Sequence, residues 1–134
     1  MKRFPAILAL IALLALLFSC SSGEDAAPQK NPVRKDKISG VSQKGPFVQG
    51  SSVALNELDG NMAQTGRLFQ AKIADDKGSF EIRSVEIASP FVSFKADGYY
   101  RNEVTGKRST APITLYAIAD IADKSSVNVN LMTP

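Results

Sequence analysis

Short segments of alternating apolar and polar residues fill this 134-residue chain from Ile38 onward. Residues 52–58 (SVALNEL) alternate in this way, and residues 126–131 (SVNVNL) do so without exception. A period of two places the apolar side chains on one face of a β-strand. Between the segments lie turn-forming strings that leave no room for a helix of ordinary length: Gly45-Pro46, Asp59-Gly60-Asn61, Asp75-Asp76-Lys77-Gly78, Asp97-Gly98 and Thr105-Gly106-Lys107. The pattern predicts an all-β fold, a small antiparallel β-sandwich of about seven or eight strands.

Six segments carry the strand pattern: 52–58, 67–73, 79–87, 91–96, 112–120 and 126–131. The strictest alternation, at 126–131, predicts the most regular strand. Within 79–87 the apolar phase slips between Ile82 and Val85, which predicts a bulge or the end of a strand. Residues 38–134 number 97, which suits one small domain and is too few for two.

The N-terminus is typical of an export signal. Lys2 and Arg3 precede an unbroken apolar run at residues 6–18, and small residues follow it. A transmembrane helix needs roughly 20 apolar residues, so this run of 13 is better suited to a cleaved signal. Residues 21–37 hold two prolines, many charges and a single branched aliphatic residue, which predicts a flexible tether. We therefore expect a signal peptide at 1–19, a tether at 20–37 and the sandwich at 38–134.

The only cysteine of the chain, Cys20, directly follows the signal. The string LFSC at 17–20 resembles the lipobox of bacterial lipoproteins, in which the cysteine thiol accepts a diacylglycerol group. The resemblance implies cleavage before Cys20, leaving 134 − 19 = 115 residues, and a membrane anchor of three acyl chains. Ser21, where an aspartate favours retention at the inner membrane, implies the outer membrane. An ordinary signal peptide with an incidental cysteine is the alternative.

Composition removes most catalytic chemistries. The chain contains no histidine and cannot form an internal disulfide, which excludes Ser-His-Asp triads, Cys-His dyads and most transition-metal sites. Its formal charge of +3 includes Lys2 and Arg3, so that the mature chain carries +1. We expect no nucleic-acid partner and no cofactor.

Two groups of residues are candidates for binding. Asp75 and Asp76, with Glu57 or Asp59, offer carboxylate oxygens of the kind that calcium binds, but Asp-Asp-Lys-Gly is first a hairpin turn, and we predict no metal site. Aromatic and hydrogen-bonding side chains are densest at residues 99–103, which we take as a candidate ligand surface: Tyr99, Tyr100, Arg101, Asn102 and Glu103. The alternative is a core aromatic whose hydroxyl bonds to the backbone, with alternation burying only one of the two rings.

Four segments also carry a family resemblance: ISGVSQKGPFVQGSSVALNELD, DDKGSFEI, FVSFKADGYYRNEVTG and ITLYAIADIADKSSVNVNLMT. They resemble bacterial lipoproteins with a carboxypeptidase-regulatory-like, prealbumin-like (Ig-like) β-sandwich. The marker positions are Gly45, Pro46 and Phe47, then Asp76, Gly78 and Phe80, and then Gly98, Tyr99 and Tyr100. Longer members continue into a helical region, so the resemblance leaves open both a shortened member and a complete minimal domain. Many related domains are accessory modules, and the likeness implies a fold rather than an activity.

Two hypotheses on function follow. The first is a membrane-anchored, non-catalytic module of the cell envelope that presents its sandwich to an envelope protein or polysaccharide. The second is a carboxylate-dependent carbohydrate-active enzyme, or an accessory module of one, which requires two carboxyl groups roughly 5 to 10 Å apart in a cleft. We favour the first, because a domain of about 97 residues rarely encloses such a cleft, and we expect no catalytic residues.

Overall fold

Two β-sheets that share one hydrophobic core make up residues 32–132, the part of the chain that the computed structural model describes. The predicted signal peptide and Cys20 lie outside these residues. The strands are β1 (Val33–Gln43), β2 (Ser52–Leu58), β3 (Gln64–Lys72), β4 (Ser79–Ile87), β5 (Phe91–Gly98), β6 (Ile113–Asp120) and β7 (Val129–Asn130). The predicted all-β sandwich is confirmed, with seven strands. In the described range no helix is long and apolar enough to cross a membrane.

One sheet has the order β4-β1-β7 and the other the order β3-β2-β5-β6. Neighbouring strands are antiparallel, except that β7 runs parallel to β1. The strands at the sheet edges are therefore β4 and β7 in one sheet and β3 and β6 in the other. β5 and β6 pair from Phe91 with Asp120 to Gly98 with Ile113, without a register shift.

The core follows directly from the alternation. Val53 and Leu55 of β2 are buried, and on the opposite sheet Phe80 and Ile82 of β4 are buried as well. Phe80 meets Phe94 of β5 across the sandwich, with ring centroids 6.1 Å apart. This inclined pairing suits aromatic rings, and it joins the two sheets at the centre.

The first strand begins earlier than the sequence indicates. β1 starts at Val33, whereas the predicted tether extends to residue 37. Arg34 lies directly opposite Glu86 of β4, whereas Lys37 lies opposite Arg83 and reaches Glu81 diagonally. The Arg34–Glu86 and Lys37–Glu81 pairs both have N–O distances of 3.0 Å. A charged stretch looks solvated in isolation, but here cross-strand pairing incorporates it into the sheet.

The predicted slip in β4 occurs at Ser84, whose φ is 54°. Ile82 and Val85, on either side of it, are both buried, so the inward phase changes at this residue. The register between β1 and β4 is the same before and after the slip, and the strand continues to Ile87. A local backbone irregularity, rather than a strand end, explains the sequence pattern.

The last strand is much shorter than expected. Of the predicted strand at 126–131, Val129–Asn130 forms β7, and Ser126 makes an isolated parallel bridge to Ser39 of β1. The amide of Val41 in β1 donates to Oδ1 of Asn128 at 3.1 Å, so a side chain takes the place of a ladder bond. Asn130 Oδ1 then accepts the amide of Met132, which turns the chain away. Alternation predicted the inward residue Val129 correctly, but Leu131, in the same phase, is exposed because the chain turns away after Asn130.

Candidate functional site

Beyond β5 the chain forms a small projecting hairpin, residues 99–109, that includes every residue of the predicted ligand surface. Its two arms are joined by backbone bonds of 2.8 Å from Ser109 to Tyr100 and from Asn102 to Lys107. Oδ1 of Asn102 accepts the amides of Val104 and Thr105, which fixes the turn. Of the predicted ligand residues, Asn102 is therefore occupied mainly in shaping the hairpin.

The hairpin is fixed to the domain by the turn after β1. The amide of Arg101 donates to the carbonyl of Pro46 at 2.8 Å, and the amide of Val48 donates to the carbonyl of Tyr99 at 2.9 Å. A Cβ atom added to Gly45 would lie 2.0 Å from the carbonyl oxygen of Arg101. The Gly45 backbone therefore lies closer to Arg101 than a residue with a side chain would permit. Two of the sequence markers, Gly-Pro-Phe and Gly-Tyr-Tyr, thus meet in one structural contact.

The two tyrosines have different environments, although both are half-buried. Tyr100 packs against the core, and the Lys44 amine lies 5.3 Å from its ring centroid. Tyr99 has the Arg108 guanidinium 4.4 Å from its ring centroid. Neither hydroxyl makes a hydrogen bond within residues 32–132, which differs from the alternative of a tyrosine tied to backbone. Both rings instead carry a cation on or near one face.

Of the two other charged residues in the predicted ligand surface, Arg101 makes contacts within the domain and Glu103 is exposed. Arg101 donates to the carbonyl of Gly106 at 3.1 Å and lies 3.9 Å from Oδ2 of Asp76. Glu103 is exposed at the turn, beside Val104, whose side chain is 94% exposed. A single exposed apolar side chain is common on protein surfaces, so Val104 marks the tip of the hairpin and does not by itself indicate a partner.

A groove of about 430 Å³ lies along the hairpin. Its lining combines an aromatic ring, two cations, an amide and several hydroxyls: Tyr100, Asn102, Thr105, Lys107, Arg108, Ser109 and Thr110, with Ala111 and Ile113. Of these lining residues, the sequence predicted only Tyr100 and Asn102 as part of a ligand surface, and it also missed Lys44, which lies beside the Tyr100 ring. Lys44 is far from the hairpin in the chain, and no local pattern signals the contact.

Glu57, by contrast, is 1% exposed and serves the fold. Its carboxylate accepts the amides of Ala88 and Ser89 and the hydroxyl of Thr65, and Arg67 lies 3.7 Å away. Burial raises the pKa of the Glu57 carboxyl, but the bonds from Ser89, Thr65 and Ala88 and the charge of Arg67 outweigh it, so that its pKa lies below the ordinary 4.5. This ionised carboxylate, whose two oxygens already accept hydrogen bonds from the fold, stabilises the turn between β4 and β5.

The aspartates considered for calcium are also engaged in turns. Oδ1 of Asp75 accepts the amides of Lys77 and Ser79, and the bond from the Ser79 amide is the main cause of a lowered pKa at Asp75. Oδ1 of Asp59 accepts the amides of Asn61 and Ala63. Among residues 32–132 no three acidic, cysteine or histidine side chains converge as a metal site requires. The hairpin-turn interpretation therefore accounts for these carboxylates.

Comparison with protein-family models, curated proteins and solved structures finds no match to this chain. The fold class stands on the strands and their pairing alone. The resemblance to carboxypeptidase-regulatory-like lipoproteins remains a prediction that rests on the marker residues. What the protein does is therefore argued from its surfaces.

Proposed function

We propose that this protein is a lipid-anchored lipoprotein of the bacterial cell envelope whose β-sandwich is a non-catalytic binding module. The 99–109 hairpin and its groove contact an envelope protein or polysaccharide. The observation that carries the proposal is the combination of two rings, each beside a cation, with an adjacent groove that apolar surface and hydrogen-bonding side chains line together. Aromatic faces surrounded by hydrogen-bonding groups suit sugars and peptides alike.

The state of the carboxylates supports a binding role over a catalytic one. A glycosidase needs one carboxyl group with a raised pKa opposite a second one. Glu57, the buried carboxylate of the described residues, has a lowered pKa and accepts three hydrogen bonds from its own fold. Asp59 and Asp75 accept backbone amides in turns. Their geometry serves the scaffold that presents the hairpin.

The envelope location rests on the N-terminal sequence. Cys20 follows an apolar run of 13 residues, and Ser21 follows Cys20. A stable lipid anchor requires more than one acyl chain, and lipoproteins carry three. We place the module at the outer membrane on these grounds.

Site-specific photo-crosslinking in the cells that make the protein tests the proposal. A photoreactive residue replaces Val104 at the hairpin tip, and the control replaces Met62, which is exposed in the turn between β2 and β3 at the opposite end of the sheet. We expect an adduct from position 104 that is absent from position 62, and a smaller yield when Lys107→Ala and Arg108→Ala are combined with it. Protease or glycosidase sensitivity identifies the partner as protein or polysaccharide. Equal labelling at both positions would count against the hairpin as the binding surface.

A further inference from the structure

The two sheets have four edge strands, and three of them carry features that prevent pairing with another chain. β7 is only two residues long. β4 carries Glu81, Arg83 and Glu86 and bends at Ser84. Short length, charge and bending are the usual protections of a sheet edge.

The β3 edge is protected in a similar way. It carries Arg67 and Lys72, and Gly66 has a φ of 92°. Nη1 of Arg67 donates to the carbonyl of Glu86 in β4 at 2.9 Å, so that the edges of the two sheets lie against each other on this side of the sandwich. An incoming strand would have to displace this contact.

β6 lacks these protections. Its eight residues read ITLYAIAD, and the first seven carry no charge, no proline and no glycine. Tyr116 and Ile118 project from the outer face of the sheet, 61% and 50% exposed. A long edge strand with exposed apolar side chains, whose one charge is at its last residue, is a surface on which another strand adds readily.

Within residues 32–132, the outer side of the β6 backbone also makes no hydrogen bond to another strand. The amide of Ile121 donates to the carbonyl of Pro90, in register with the β5–β6 ladder. Because backbone groups alternate in direction along an antiparallel strand, residues 117 and 119 face β5 while 114, 116 and 118 face outward. No backbone bond to these three outward residues occurs elsewhere within residues 32–132.

The sequence of β6 is complementary to itself. Antiparallel pairing of two copies centred on Ala117 places Tyr116 opposite Ile118 of the second copy, an aromatic and β-branched pair. The one charged residue, Asp120, then faces Thr114 of the second copy rather than its own equivalent. The small Ala117 side chain allows close approach at the axis, and each hydrogen-bonded pair exchanges two backbone bonds.

We propose that two copies of this protein associate through their β6 strands and form one continuous eight-stranded sheet across a two-fold axis. The two surfaces share only Ile113, the first residue of β6, which lies outside the paired residues 114–120. The pairing does not depend on the function proposed for the groove. The occupant is a second copy because the centred register matches apolar with apolar residues and keeps the like charges apart.

The first test measures the mass of the full chain, purified in detergent, by sedimentation equilibrium at matched detergent density. Ile118→Lys is compared with Leu68→Lys. These two residues stand at opposite ends of one cross-strand row on the outer face, and they are 50% and 51% exposed. We expect a dimer for the unchanged protein and for Leu68→Lys, and a dissociation constant raised roughly tenfold or more for Ile118→Lys.

The second test fixes the register with a covalent link. The variant Thr114→Cys with Asp120→Cys places two pairs of thiols across the interface, whereas within one strand these positions are about 20 Å apart. Oxidation should give a species of twice the chain mass, and Thr114→Cys alone should not. A monomer at every concentration, equal weakening by both lysine variants, or no disulfide in the double variant would overturn the proposal.

Discussion

At the scale of single residues, Glu57 shows how a buried charge is accommodated in this small domain. Three donors surround its carboxylate, and two of them are backbone amides of the turn at Ala88 and Ser89. Replacing Glu57 with glutamine removes the charge and puts an NH2 group, which cannot accept a hydrogen bond, in place of one carboxylate oxygen. Hydrogen bonds to charged groups contribute about 1.5 to 3 kcal/mol, so we expect the free energy of unfolding to fall by about 2 kcal/mol. Denaturant unfolding at pH 7 measures this free energy. Glu103→Gln is the control, because Glu103 is exposed and its replacement should change the free energy of unfolding little.

The same carboxylate predicts a pH dependence. The folded-state pKa of Glu57 lies below 4.5, the ordinary value that we expect in the unfolded chain. Its ionised form therefore stabilises the fold fully above about pH 4.5, and this stabilisation is lost as the pH falls through the folded-state pKa. The difference in unfolding free energy between the unchanged protein and Glu57→Gln should shrink from pH 7 toward pH 3. A difference that grows on acidification would contradict this assignment.

Gly40 illustrates a second constraint on single residues, the close approach of two chain segments. A Cβ atom at this position would lie 1.9 Å from the carbonyl oxygen of Val127 and 2.6 Å from the Phe80 ring. Gly40→Ala must displace the segment that precedes β7 or the core ring, and we expect a loss of about 2 to 3 kcal/mol of unfolding free energy. Gly60→Ala is the matched control, because its Cβ would meet nothing within 4 Å. Equal unfolding curves for the two variants would show that the contact is not tight.

At the scale of elements, alternation predicted most strands because one face of each is buried. β2 and β4 have the predicted bounds, 52–58 and 79–87. The errors occur where long-range partners decide the structure. Residues 33–37 form a strand because β4 pairs with them and supplies Glu86 and Glu81 to Arg34 and Lys37. Ser126 still bridges Ser39, but the pairing with β1 is interrupted before Val129 because the Asn128 side chain takes over one of its bonds. The contact of Lys44 with Tyr100 in the proposed ligand surface could not be predicted from the sequence, since it arises through the tertiary fold.

The alternating backbone direction of β6 predicts how the strand tolerates proline. The amide of Ile118 points away from β5, while that of Ala119 points toward it. Ile118→Pro should therefore keep the fold at a cost of about 1 kcal/mol, whereas Ala119→Pro loses a ladder bond and should cost about 3 kcal/mol or more. Thermal unfolding by circular dichroism compares the two. A more stable Ala119→Pro variant would reverse the assignment of the open edge on which the β6 pairing depends.

At the scale of the whole molecule, the position of β1 limits where the domain can lie. Thirteen peptide steps separate Cys20 from Val33, the first residue of β1. A chain of that length spans at most about 45 Å in any conformation. If Cys20 carries the lipid, the hairpin and the β6 edge both act close to the membrane surface, and their partners must be reachable there.

Lipidation of Cys20 is the prediction on which this placement rests. The full chain and Cys20→Ala are expressed in a Gram-negative host, and the intact mass and the membrane partition of each product are measured. We expect the unchanged chain as a 115-residue product with three acyl chains in the membrane fraction, because two or more chains anchor a protein stably. Cys20→Ala lacks the thiol that accepts the lipid and should lose both the added mass and the anchoring. A soluble, unacylated product from both genes would remove the anchor and leave a secreted sandwich, whose partners would then be sought in the medium.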